Sequence, residues 1–342
     1  MSRGPLAGVR VVLLAGAGPA PFAGMLLRDL GAEVIRVDRP GGGVGVSGLP
    51  AHHDSRSSGV RAVTVDLKTD EGRETVRRLV ATADVFVDPY RPGVAERLGL
   101  GPATLCAACP ALVYVHMTGW GHEGAWAQRA GHDINYLAVA GALHPTGPAD
   151  RPPLPPLNLL ADFGAGGTYL VMGVLAALLE RTRTGRGAVL DVAMTDAVAS
   201  LTTLLHDMRA AGLWSDERES NIFDGGAPFY RTYRTADGGF MAVGAIEAAF
   251  HAAFLTVLGI DPAGWPQHDR SRWPDQRREL ARIFASRTRA EWAEVFDDVD
   301  ACVTPVLTPG EAPEHPALAS RSTFVDSGGR PAPAPAPRRV VR

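Results

Sequence analysis

Apolar and polar positions change their period several times along this chain, and each change marks an element. Residues 9–15 form a short apolar run that predicts a strand, and the glycines and prolines of residues 16–21 break it. Residues 22–30 carry apolar side chains at helical spacing with Gly31 as the C-cap, and residues 33–38 return to a strand that ends on Asp38. Residues 63–66, 85–88 and 112–116 read as further strands with helical segments between them, the layout of an α/β domain. Residues 163–179 are apolar throughout. The run is short for a membrane span, follows Asp162 directly and is rich in Gly and Thr, so it predicts a buried core helix over 167–181. A strand at 188–192 and a long helix from 195 to 211 follow. Residues 213–228 look like a connection to a smaller unit. There, residues 229–235 and 240–246 flank Ala236-Asp237-Gly238-Gly239, a hairpin signal. Helices are expected from near Glu247, over 274–286 and over 289–296, the last with Thr288 and Glu291 at capping-box spacing. The tail, 330–342, is rich in Pro, Ala and Arg and reads as extended.

The chain has 342 residues, enough for two domains. Its 34 basic and 37 acidic side chains leave a net charge of −3, which excludes the basic face of a nucleic-acid binder. Three cysteines, Cys106, Cys109 and Cys302, are an odd, small number that suits a reducing cytoplasm. Cys106-Ala107-Ala108-Cys109 has no second pair and reads as small residues on a helix. No secretory leader, targeting tripeptide at Val341-Arg342 or membrane partner is expected. The first strand–turn–helix–strand resembles a dinucleotide-binding fingerprint, but Pro21 stands at the third glycine position, which disfavours a nicotinamide-dependent oxidoreductase. The loop at 41–59 contains His52, His53 and Asp54, which lack the fixed scaffold that a metal site needs, so no metal ligand is assigned.

Two short stretches carry the candidate chemistry. One is Gly131-His132-Asp133-Ile134-Asn135-Tyr136. The other is Pro155-Pro156-Leu157-Asn158-Leu159-Leu160-Ala161-Asp162-Phe163-Gly164-Ala165-Gly166-Gly167. A His beside an apolar run is ordinarily a core residue. Paired with a carboxylate in apolar surroundings, which raise its pKa, it is also what proton transfer on two sides of one carbon requires.

These stretches are similar to the α-methylacyl-CoA racemase branch of the family III (CaiB/BaiF-type) CoA-transferase superfamily. So are Val37-Asp38-Arg39-Pro40, Val65-Asp66-Leu67-Lys68, Tyr90-Arg91-Pro92-Gly93-Val94, Met117-Thr118-Gly119-Trp120-Gly121, Asp224-Gly225-Gly226-Ala227-Pro228, the block from Ala242 to Glu247 and the block from Asp300 to Val306, in order over nearly the whole chain. The resemblance implies a large Rossmann-like parallel-sheet domain at 1–195 completed by 318–342, linkers at 196–228 and 312–317, and a small α+β domain at 229–311. It implies a homodimer of interlocked protomers and an acyl-CoA thioester substrate, with no cofactor beyond the CoA of that substrate. By the same resemblance His132 and Asp162 exchange the proton on carbon 2 of a 2-methylacyl-CoA. Asn158 holds Asp162, and Glu247 of a neighbouring protomer orients His132. Arg39, Lys68 and Arg91 meet the CoA phosphates, and Val65, Asp66 and Leu67 surround the adenosine. Gly131, Asp133, Ile134, Asn135 and Tyr136 lie along the pantetheine and thioester.

Backbone amides at the start of residues 164–169, or at Asp133, are candidates for the enolate oxygen. Three departures from the family pattern put the substrate in question. Leu13 replaces a usual Glu, Ser58 and Val60 stand where basic residues are common, and the C-terminus is short. The alternatives are a CoA-transferase of the same family with Asp162 as covalent nucleophile, the oxidoreductase above, and a non-catalytic CoA-binding scaffold. The joint presence of His132, Asn158, Asp162 and Glu247 favours proton transfer.

Overall fold

The computed structural model describes residues 4–42, 49 and 53–338. His52 and the Val341-Arg342 terminus lie outside the described residues. The chain's contacts divide it into two compact units. The described residues up to 143, with 155–203 and 334–338, form the first, and residues 144–154 and 204–333 form the second.

The first unit runs β1 (Arg10–Leu14), α1 (Pro19–Asp29), β2 (Glu33–Asp38), β3 (Arg61–Thr64), α2 (Asp70–Val80), β4 (Val85–Asp88), α3 (Val94–Arg97), α4 (Pro102–Ala108), β5 (Val113–Thr118) and α5 (Asp133–Val139). A π-helix (Leu159–Gly167), α6 (Thr168–Thr184), β6 (Val189–Ala193) and α7 (Met194–Leu201) follow. Its six strands pair in parallel in the order β3-β2-β1-β4-β5-β6. That is the doubly wound order with its switch point between β1 and β4, where strand ends open toward a ligand crevice. Both faces of the sheet are covered, which is why β1 is a continuous apolar run. Val11 and Leu13 point into one core cluster and Val12 and Leu14 into the other. Leu13 is therefore a core side chain, packed near Gly24 of α1. α1 tolerates Pro19 and Pro21 because both lie in the first turn, where N–H groups have no helical partner.

The apolar stretch after Asn158 differs from its expectation. Helix starts at Leu159, before Asp162, and runs on to Gly185 in the left-handed conformation. By length and composition Leu159–Thr184 could cross a membrane. In the fold Leu170, Val174, Ala177 and Leu178 enter the sheet's core, while Met172 and Leu179 face outward. The single helix expected over 195–211 is two, α7 and α8 (Thr203–Ala210), broken at Thr202. The Thr202 and Thr203 hydroxyls donate to Ala199 O (2.8 Å) and Ser200 O (2.7 Å), a local alternative to continued helix.

The second unit continues with β7 (Tyr230–Arg234), β8 (Phe240–Gly244), α9 (Ala248–Val257), α10 (Trp273–Phe284), α11 (Arg289–Phe296), β9 (Val303–Pro305), α12 (Pro316–Ala319), β10 (Phe324–Asp326) and β11 (Pro331–Pro333). β7, β8 and β9 form an antiparallel sheet and β10–β11 a hairpin. The capping box expected at Thr288 and Glu291 starts α11. Residues 144–154 and 318–333, which the sequence placed with the large domain, group with this unit. Arg218 ties in the first of these segments by donating to Thr146 O (2.7 Å) and Gly147 O (3.2 Å).

Candidate active site

A cleft of about 290 Å³ opens at the C-terminal ends of β1, β4 and β5, beside the switch point. Ala17 and Pro19 line it after β1, Tyr90 and Arg91 after β4, and Met117–Trp120 at the end of β5. Gly131, His132 and Tyr136 close another side.

His132 is the N-cap residue of α5 and is exposed. Its backbone N–H donates to Asn135 Oδ1 (3.0 Å), which fixes the start of the helix. Tyr136, one turn on, is buried and donates to Gly131 O (2.7 Å), and its ring meets Trp120 edge to face at 4.8 Å. Side chains at Gly119 or Gly131 would collide with that ring, since a Cβ there would stand 2.3 or 2.7 Å from it. Burial first, and then Asp162, push the Tyr136 hydroxyl up to about 12, so it stays a neutral donor.

Asp133 is used differently from its expected place along the substrate. Its carboxylate is buried, and Oδ2 accepts the backbone N–H of Ala161 (2.7 Å) and of Asp162 (2.8 Å). These are first-turn groups of the π-helix, with no partner inside it. One carboxylate from α5 thereby anchors the turn that presents Asp162, and couples the two sequence stretches. The π-helix itself, a rare conformation common at functional sites, seats Asp162 within an otherwise apolar run. Gly164, Gly166 and Gly167 lie inside this continuous helix, so their amides are not the free N–H groups of a helix start, contrary to one reading of the sequence. Gly166 and Gly167 serve packing instead, against Met194 and Phe22.

Asp162 is half-buried. Burial pushes its carboxyl above the usual carboxylate range; the Asn158 amide, 3.5 Å from Oδ2, and the neighbouring His132 pull it back, while Asp133 adds to the rise. The fold thus brings together His132, Asn158 and Asp162. It adds one residue that sequence reasoning passed over. Gly18, in the turn after β1, has φ +64°, and a Cβ there would stand 2.9 Å from Asp162 Oδ2. Its only sequence signal was the glycine-rich turn, which read as a nucleotide fingerprint.

The other expected positions spread along the same edge of the sheet. Arg39 is exposed at the end of β2, and Arg91 is exposed on the cleft. Asp66 and Lys68 are exposed in the turn after β3, where Asp66 Oδ1 accepts the Lys68 N–H (2.9 Å). The Val65 side chain is a core residue and Leu67 packs on that core, so neither side chain is free for adenosine. Ile134 is exposed on α5. Glu247 is in the second unit, exposed at the N-cap of α9. In the altered loop, Ser58 O and Ser55 O accept from Arg28, and Ser57 Oγ accepts from Arg36 (2.6 Å). Arg28, Arg36 and Arg56 bring charge to this loop, but each is paired, with Asp29, Asp38 and Asp54 respectively. Asp54 is therefore engaged by arginine. Cys106 and Cys109 pack partly against the core, and burial pushes the Cys106 thiol up.

The pattern of CoA-transferase family III matches residues 6–342. The chain belongs to CoA-transferase family III. It is 48% identical over 334 residues to the α-methylacyl-CoA racemase of Mus musculus, which spans 97% of this chain and 86% of the relative. The corresponding enzyme of Homo sapiens is 45% identical over 334 residues, 96% of this chain and 86% of the relative. Among solved structures, a CaiB/BaiF family protein from Brucella suis superposes with a TM-score of 0.83 at 30% identity, over 99% of this chain and 93% of the other. The fold of this chain, with its six-stranded parallel sheet, is therefore that of a CaiB/BaiF family protein.

Proposed function

We propose that this family III protein is a racemase of 2-methylacyl-CoA thioesters. The observation that carries the reading is Asp162. Burial raises its carboxyl above the usual carboxylate range, and the Asp133 anchor seats it in the electrostatic reach of His132. The near-half identity to racemases over almost the whole chain supports the same chemistry.

In one direction the His132 imidazole takes the proton from carbon 2. The electron pair moves into the carbon–carbon bond, and charge develops on the thioester oxygen. The Asp162 carboxylic acid then delivers its proton to the opposite face of carbon 2, leaving imidazolium and carboxylate. The other enantiomer reacts from that second protonation state, so each direction starts from the opposite form of the pair. We assign the developing oxyanion to the backbone N–H of Asp133 at the start of α5. Arg39, Lys68 and Arg91 are assigned to the phosphates, and the position of Arg91 on the cleft supports its share of that role. No cofactor is required, because the CoA thioester itself stabilises the enolate.

The active form is assigned as a homodimer in which Glu247 of one protomer orients His132 of the other. The exposed apolar side chains of Met172 and Leu179, seven residues apart on α6, support a covered surface. The three free thiols support a reducing compartment, the cytoplasm. A family III transferase with Asp162 as nucleophile is the second reading, and the reach of His132 disfavours it.

The test is a single enantiomer of a 2-methylacyl-CoA incubated in deuterated water. Deuterium at carbon 2 with loss of optical purity is expected. Acyl or CoA transfer to an added carboxylate, without exchange, would establish the transferase instead.

A further inference from the structure

We infer that the first unit carries a divalent transition-metal site, with zinc as the fitting ion, made by Glu96, His116 and His122. His116 and His122 are six residues apart, Glu96 precedes His116 by twenty, and their donor atoms converge in the fold. His116 is buried in β5, His122 follows the turn after β5, and Glu96 is exposed on α3. One donor atom of each lies within 4.8 Å of those of the other two. His122 Nε2 stands 3.4 Å from Glu96 Oε1. That nitrogen is shielded from solvent and makes no hydrogen bond. An unsatisfied buried polar atom of this kind calls for a partner. The two imidazole rings lie 3.9 Å apart between centroids, at 36° to one another.

The surroundings are those of a held site. The His122 backbone N–H donates to Asp191 Oδ2 (3.0 Å), and Gly121 N–H to the buried Thr118 hydroxyl (3.0 Å), which fixes the turn that carries the ring. Behind His116, Asp88 Oδ2 lies 3.5 Å from Nδ1, and the same oxygen accepts the Tyr114 hydroxyl (3.1 Å). A carboxylate in that place orients an imidazole ligand. Two imidazoles and one carboxylate are a donor set that zinc takes, with bonds of about 2.0–2.2 Å and a fourth position left to water. Reaching those bond lengths needs the three donors to draw together, and Glu96 is the exposed member of the set. The ion would tie α3, just past Arg91, to the turn after Trp120, each next in sequence to a stretch that lines the cleft. The site takes no part in the proton transfer, and its test is independent of that reading.

The experiment is calorimetric titration of zinc chloride into tag-free, chelator-treated full-length protein, with cobalt(II) absorption as a second readout. About one ion per chain is expected. The cobalt spectrum should show ligand-field bands without thiolate charge transfer. Affinity should fall more than about tenfold in Glu96→Gln and in His122→Ala. It should be unchanged when Cys106 and Cys109 are both replaced by serine. Glu96→Gln alters an exposed side chain and keeps the test valid if His122→Ala does not fold. No saturable uptake, uptake indifferent to Glu96→Gln, or uptake lost with the cysteines would each overturn the site.

Discussion

The cores of the two units are built from different materials. The first is aliphatic, spread over both faces of a parallel sheet, and it admits buried polar groups, Asp88, His116, Thr118 and Asp133, at the ends of strands or beside them. The second is aromatic: Tyr233, Phe254, Phe284, Trp292 and Phe296 stack around one another, with centroid distances of 5.0–6.5 Å. A parallel sheet directs its strand ends to one edge, so that edge gathers unsatisfied backbone and polar side chains and becomes a site. The aromatic core has no such edge and contributes cohesion. Substitutions should therefore separate, with loss of chemistry from the first unit and loss of stability from the second.

The largest effect on stability is expected from Phe284→Ala. This fully buried ring stacks on Tyr233 at 5.0 Å and meets Trp292 at 5.1 Å. Its removal should cost about 3–5 kcal/mol in denaturant unfolding. A loss below about 1 kcal/mol would mean the stack is not cohesive.

Asp162→Asn should lower kcat by roughly 10²–10⁴-fold, the usual worth of a positioned acid–base group. Stability should move the other way. The folded carboxyl titrates above its unfolded value because burial penalises the charge, so above that folded pKa the native state carries a cost that Asn removes. A thermal midpoint at pH 7 no lower than that of the unaltered protein is the expected result. A marked drop would make Asp162 a structural residue.

The second unit has its own pH dependence. His251 is buried against Phe229, and burial, reinforced by His268, pushes it down from 6.5 to about 4. Between those values the unfolded chain binds the proton and the folded one does not. Stability is thus complete above about 6.5 and declines as the pH falls toward about 4. The decline is on the order of 3 kcal/mol. His251→Gln should flatten that decline, and an unchanged slope would assign it to other groups.

Gly18→Ala should cost less stability than Phe284→Ala. The backbone there, with φ 64° and ψ −115°, costs an L-residue roughly 1–3 kcal/mol, and the new methyl would displace the Asp162 carboxylate. Activity should fall further than stability. Unaltered turnover would show that Asp162 is not held tightly against the turn.

Much of this was legible beforehand, for a local reason. Strands buried on both faces must be apolar runs, and the expected runs at residues 85–88 and 33–38 coincide with β4 and β2. The α11 capping box is a contact between residues three apart, so its spacing alone announces it. The His132 and Asp162 stretches stood out by composition. What stayed hidden depends on contacts across long separations. The helix start at Leu159 depends on Asp133 accepting the N–H of Ala161, 28 residues later in the chain. Nothing near Asn158 encodes it.

The same division runs through the whole molecule. Periodicity and capping are properties of neighbouring residues, and they sufficed for the α/β layout, the hairpin signal and the candidate pair. Which groups meet is a property of strand order and of the space between packed elements. Sheet closure sets Gly18 against Asp162, turns Leu13 and Val65 into core and gathers Glu96, His116 and His122. Such meetings depend on burial and reach in three dimensions, which a one-dimensional pattern does not carry.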